Sequence, residues 1–329
     1  MSGGRAISAS IVALALAACS WAPQGGVNPA ARGIMPTAAV SGSLFVANRH
    51  AVTVYDLEGG GLIRSISNSD PTAIAVNHEG NLFVANYQAN TITVYAHGGT
   101  SVLRTITQGL DGPRALAFDR SENLYVANNL NKTVTVYAPK SATILRTISD
   151  GVKGPEALVF SKSGNLFVGN NGSSHITVYP PGGVHVIRTI ITHNGPLALA
   201  LNPAQDLFSV NNFNVTVYKP GTTSPYRTIS DGISLPSTLA FDSAGNLYVA
   251  NWGVNMFRSS ISIYLPGQSS PTREITAGIG YPLSLAFDQA GNLYVANSAL
   301  NTVTEYAPGS SKVERTIGKS IVSPVDLVI

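Results

Sequence analysis

One six-residue phrase returns seven times along this chain. It reads SLFVAN ending at Asn48, NLFVAN at Asn86, NLYVAN at Asn128, NLFVGN at Asn170, DLFSVN at Asn211, NLYVAN at Asn251 and NLYVAN at Asn297. The steps between those asparagines are 38, 42, 42, 41, 40 and 46 residues. A unit of that length, built from short apolar runs between Gly- and Pro-containing turns, buries its apolar faces only by stacking on copies of itself. The period predicts an all-β fold, a seven-bladed β-propeller. A motif shared by every repeat explains the scaffold before it explains a site.

A single repeat shows how a blade is built. From Pro113 to Ile148 the chain reads PRALAF (113–118), a turn, LYVAN (124–128), a turn, TVTVY (133–137), a turn and ILRTI (144–148). Four runs rich in β-branched and aromatic residues, separated by turn chemistry, predict a four-stranded antiparallel meander. The strands are named A to D from the inside outward. The A strand opens on a Pro in each repeat (Pro71, Pro113, Pro155, Pro196, Pro236, Pro282, Pro324), where no ladder donor is needed. A-to-B turns such as Asp242 to Gly245 and Asp288 to Gly291 have type I turn chemistry. C strands end in Tyr (Tyr55 to Tyr306) and D strands carry Arg (Arg64 to Arg315), both read as packing features of the repeat. The strand-ending Asn is read as a cap that bonds its own loop.

The last A-type run, 324–329, ends the chain with no B strand after it. Ring closure follows: this strand is expected to complete the first blade and so remove a free sheet edge. Residues 36–40 (PTAAV) compete for the same place.

The N-terminus carries a different message. Arg5, the apolar run Ala6 to Ala18 and the sequence Leu16-Ala17-Ala18-Cys19 have a secretory signal layout ending in a lipobox-like motif. The expected organisation is a signal peptide at 1–18, a tether at 19–40 and a propeller at 41–329, with Cys19 lipidated. The protein would then be exported and held by a lipid anchor in the periplasm or at the cell surface, as a monomer. Cys19 is the only cysteine, so no internal disulfide forms. Charged residues make up 11% of the chain and the formal net charge is +3, which lacks the clustered cations of a nucleic-acid binder.

NLYVAN followed by TVTVY resembles the NHL and YVTN families of propeller repeats over residues 43–329, and the Asn that ends VAN, where NHL repeats commonly carry Asp, leans towards YVTN. The resemblance implies architecture. For activity it spans binding platforms, lactonases and lyases.

Function is sought where one repeat departs from the others on the face of the B–C and D–A loops, around the channel mouth. The sixth B–C loop, from Trp252 to Ser260, is longer than its counterparts and carries Trp252, Met256, Phe257 and Arg258. Tyr281 stands where other D–A loops tend to place Gly or a small residue. Two residues after the A-strand Pro, the series Ala73, Ala115, Ala157, Ala198 turns polar as Thr238, Ser284 and Asp326. Asp326 needs a partner there, and Arg49 or His50 is the expected donor of a closure salt bridge. The residue just after the Pro varies as Thr72, Arg114, Glu156, Leu197, Ser237, Leu283 and Val325.

These departures predict a module that binds a protein or small ligand through Arg49, His50, Tyr87, Trp252, Phe257, Arg258 and Tyr281, with no cofactor. The alternative is a lactonase- or lyase-type enzyme with a divalent metal at the mouth, for which Glu156 and Asp326 are the weak candidate ligands. The six His residues show no metal-binding spacing.

Overall fold

The computed structural model describes residues 42–68, 70–253 and 258–329. The proposed signal, Cys19, the tether, the competing run 36–40, Met256 and Phe257 lie outside the described residues. Seven four-stranded antiparallel sheets form the propeller, and six are continuous A-B-C-D meanders. The remaining sheet is made from both ends of the described chain. Its A strand is Asp326–Val328, followed by Ser43–Asn48, Ala51–Asp56 and Leu62–Ser67. Phe45 faces Val328, Val46 faces Leu327 and Ala47 faces Asp326 across the closing pair. The C-terminal strand closes the ring. Five A strands start at their Pro; in blades one and five regular pairing begins two residues later, at Asp326 and Ala198.

Four junctions between adjacent blades share one repeated sandwich. The B-strand aromatic of one blade meets the last Phe of the next A strand edge to face. Phe83 and Phe118 lie 5.0 Å apart, Tyr125 and Phe160 4.9 Å, Phe208 and Phe241 4.9 Å, and Tyr248 and Phe287 4.9 Å. Each such pair contributes about 0.5–1.5 kcal/mol beyond its buried area. The D-strand Arg covers the same ring, as Arg104 does over Phe83 at 5.5 Å and Arg227 over Phe208 at 5.8 Å. Several of these guanidinium groups continue to the C–D turn of the next blade. Arg227 donates to the Gln268 carbonyl at 2.9 Å, Arg273 to Gly309, and Arg315 to Leu57 and, at 2.8 Å, to Glu58.

Five C-strand tyrosines each tie their blade to the D–A loop that leads into it through a carbonyl. Tyr137 donates to the Gln108 carbonyl at 2.5 Å, Tyr264 to Asp231 at 2.7 Å and Tyr306 to Ala277 at 2.6 Å. Tyr55 makes the equivalent bond to Lys319 at 2.5 Å across the ring closure. Burial pushes these phenols up, Tyr264 to about 12, so they remain donors at ordinary pH.

The strand-ending Asn does more than cap its own loop. Asn128 donates to the Val126 carbonyl and to Thr135 at 3.0 Å, and its Oδ1 accepts from the Asp111 amide in the D–A loop. Asn170, Asn251, Asn297 and Asn48 likewise accept from Lys153, Ser234, Gly280 and Val322. A B strand, a C strand and a D–A loop meet on one amide, because the A strand starts beside the end of the B strand. Asn211 alone shows the expected cap, accepting from Phe213 and Asn214.

A candidate ligand face on the B–C and D–A loops

Strand polarity places the D–A and B–C loops on one face, as Pro113 opposite Asn128 shows. Most D–A loops here end on a residue with left-handed backbone before the A strand: Asp70, Gly112, Gly154, Leu235, Tyr281 and Ser323, with φ from +45° to +62°. Gly112 and Gly154 hold that conformation without strain. Bulky side chains hold it at a cost of about 1–2 kcal/mol, and Leu235 and Tyr281 do so on neighbouring blades six and seven.

Trp252 lies between them. Its indole nitrogen donates to the Pro282 carbonyl at 3.1 Å, and its ring sits 5.8 Å from that of Tyr281. It packs on the core cluster that contains Leu283 and Val325. The backbone is tied as well: the Trp252 amide donates to Leu235, Gly253 donates to Ser234, and the Ser259 hydroxyl bridges the Trp252 carbonyl and the Tyr281 amide. A Cβ on Gly253 would stand 2.5 Å from the Arg258 carbonyl, so only glycine fits where the ends of this loop meet. Trp252 and Tyr281 are therefore brought together, half-buried, while Arg258 stays exposed beside them.

A second group lies at the mouth on blades two to four. The Arg114 guanidinium covers the Tyr87 ring at 4.3 Å, and its Nε lies 3.9 Å from the Glu156 carboxylate. Glu156 is 8% exposed and accepts from the Asn129 amide at 2.9 Å. Its other oxygen is buried with no hydrogen bond. Burial raises its carboxyl to about 7 despite the opposing charge of Arg114. Thr72 and Ser237, at the same place in their blades, instead donate to Pro113 and Pro282 of the next blade. In the sequence Tyr87 and Glu156 are separate departures, with nothing that joins them. The missing links were Arg114, seen only as variation, and Asn129, which carries no signal beyond its place after the repeated Asn.

Arg49 and His50 are exposed on the first B–C loop. Asp326 is 2% exposed, and its carboxylate accepts from the Ser284 hydroxyl at 2.9 Å and from the amides of Ile74 and Leu327. Donors from blades seven, two and one thus engage the carboxyl expected to pair with Arg49 or His50. An ion pair does sit at the closure, elsewhere: Glu305 and Arg315 meet through Nε at 2.7 Å, and Arg315 reaches into blade one. Among the described residues no three His, Cys, Asp or Glu side chains gather as a metal site.

No protein-family model matches this chain, and no curated protein does. Among solved structures it is similar to a chain titled Kuenenia stuttgartiensis hydrazine synthase, with a TM-score of 0.70 and 18% identity. The match covers 87% of this chain and 96% of the other. At that identity the likeness speaks for the fold alone.

Proposed function

We propose that the protein is a binding module that takes a protein or small ligand on the face formed by its B–C and D–A loops. The observation that carries this reading is the pair of bulky residues, Leu235 and Tyr281, kept in left-handed backbone on either side of Trp252. Such strain persists where the surrounding structure imposes it and gathers at functional sites. Within this reading the repeats are of NHL/YVTN type, and the chain is exported and anchored through Cys19. Replacing Cys19 with Ala should then release the protein from membranes into the soluble envelope fraction.

The test of the binding reading is a photo-crosslinking residue placed at position 235 of the full chain in its native envelope. A discrete adduct is expected there, none from position 79 on the opposite face, and its loss on Tyr281→Gly with melting temperature preserved. No adduct from position 235, or equal adducts from both faces, would sink the proposal.

A catalytic reading is favoured by one group only, the Glu156 carboxyl raised to about 7 at the mouth, a value suited to general acid–base work. Turnover of lactone substrates by the purified protein, abolished in Glu156→Gln, would support that reading over binding alone.

A further inference from the structure

On the opposite face, where the A–B and C–D turns lie, the gaps between blades are not equally filled. Between blades two and three, Lys140 crosses to Glu79 at 2.8 Å and His78 meets Glu122 at 3.0 Å. Only about 30 Å³ of space is left there. Between blades three and four the corresponding cleft is about 200 Å³. One residue difference and one side-chain conformation accompany it. Lys140 is an exception in its C–D turn: Gly98, Gly182, Gly221, Gly267 and Gly309 stand at the equivalent place, and a Cβ built on Gly182 meets nothing within 4 Å. The D-strand Arg146 also stays in its own blade, donating to the Tyr125 hydroxyl at 2.5 Å. In blades four, six and seven that arginine reaches the next turn: Arg273 bonds Gly309, Arg315 bonds Glu58, and Arg188 lies 3.9 Å from where a Cβ on Gly221 would stand.

The cleft has an aromatic floor and a polar rim. Phe118, Tyr125 and Phe160 line it, with Tyr125 and Phe160 edge to face at 4.9 Å. At the rim stand Arg120 and the paired hydroxyls of Ser161 and Ser163, 2.9 Å apart. The Asp119 carboxylate is already engaged by the amides of Ser121 and Asn123 and by the Asn123 side chain. That leaves Arg120 as the rim charge with donors to offer. One of its nitrogens bonds the Lys162 carbonyl, and the guanidinium fork has five N–H groups. An apolar cavity of about 150 Å³ is enough for a benzene-sized ring.

We infer that this cleft is a binding site for a small aromatic acid, its ring on Phe118, Tyr125 and Phe160 and its carboxylate at Arg120 and the serine hydroxyls. The site is separate from the loop face and does not depend on the function proposed for that face. The probe is benzoate, titrated into the full chain by calorimetry, with benzyl alcohol as the uncharged comparison. Saturable benzoate binding at millimolar concentration is expected, weakened about tenfold in Arg120→Gln. Gly182→Lys should abolish it. Lysine is tolerated in that turn, since Lys140 occupies the equivalent place at φ +61° and Gly182 has φ +70°. A melting curve reports whether the variant folds, and Arg120→Gln tests the site independently. Absence of saturation up to about 10 mM, or benzoate binding unchanged in a folded Gly182→Lys, overturns the site. Equal binding of benzyl alcohol overturns its assignment to acids.

Discussion

Glu156 shows how one substitution within a repeat changes the chemistry of a position. Elsewhere in the series Thr72 and Ser237 bond the next blade through a hydroxyl, Leu197, Leu283 and Val325 are apolar, and Arg114 lies over Tyr87. A carboxyl in that place is buried against Arg114 and Asn129, and its proton is held up to about pH 7. The folded pKa lies above the unfolded value. The group therefore favours folding below about pH 4.5, and that contribution is lost as pH rises through about 7. A shift from 4.5 to about 7 corresponds to about 3 kcal/mol. Glu156→Gln keeps the Asn129 bond without the charge. It should melt like the parent at pH 4 and several degrees higher at pH 8, as thermal scans across that range would read; a constant difference at all pH values would refute this. The residue was visible in the sequence as a departure. Its environment was not, because Arg114 and Tyr87 come from other repeats.

At the level of strands and loops, the repeated Asn is the joint of five blades. Asn128→Ala removes bonds to Val126, Thr135 and Asp111 at once and leaves buried partners unsatisfied, at a cost of about 1–3 kcal/mol. Asn211→Ala, whose side chain serves its own loop, should cost less. Urea midpoints of the two variants decide the point, and equal losses would refute the joint. Four strands per repeat and the turn between them were legible from alternation and turn residues alone. The link from B strand to D–A loop was not, since it joins residues seventeen positions apart through a geometry set by the A strand lying between them.

At the level of the ring, closure combines a strand and an ion pair. Glu305 stands opposite Arg315 across the seventh C–D strand pair, where other blades set Val54, Val94, Val136, Val178, Val217 and Ile263 opposite their arginines. Glu305→Gln breaks a nearly buried pair and should destabilise by about 3 kcal/mol, whereas Glu305→Val restores the repeat and should cost far less. Equal losses in chemical denaturation would show that the pair does not matter to closure. Removing residues 324–329 deletes the strand that meets Phe45 to Ala47 and exposes a sheet edge. The truncated chain should self-associate in sedimentation, and a monomer of unchanged stability would argue against closure by this strand.

Blade number and strand order follow from the sequence, because a forty-residue period repeated seven times sets them, whereas the choice between 36–40 and 324–329 for the first inner strand is made by the pairing of Asp326–Val328 with Phe45 to Ala47. That same sevenfold phrase says nothing of which gap between blades stays open. The tertiary structure decided that Asp326 is held by Ser284 and backbone amides, that an ion pair lies at Glu305 and Arg315 beside the closing blade, and that the gap between blades three and four is wider than that between blades two and three. Each depends on which neighbouring blade supplies the partner and how far its side chain reaches. Periodicity fixes the position of a residue within its repeat; contacts between repeats are set by packing.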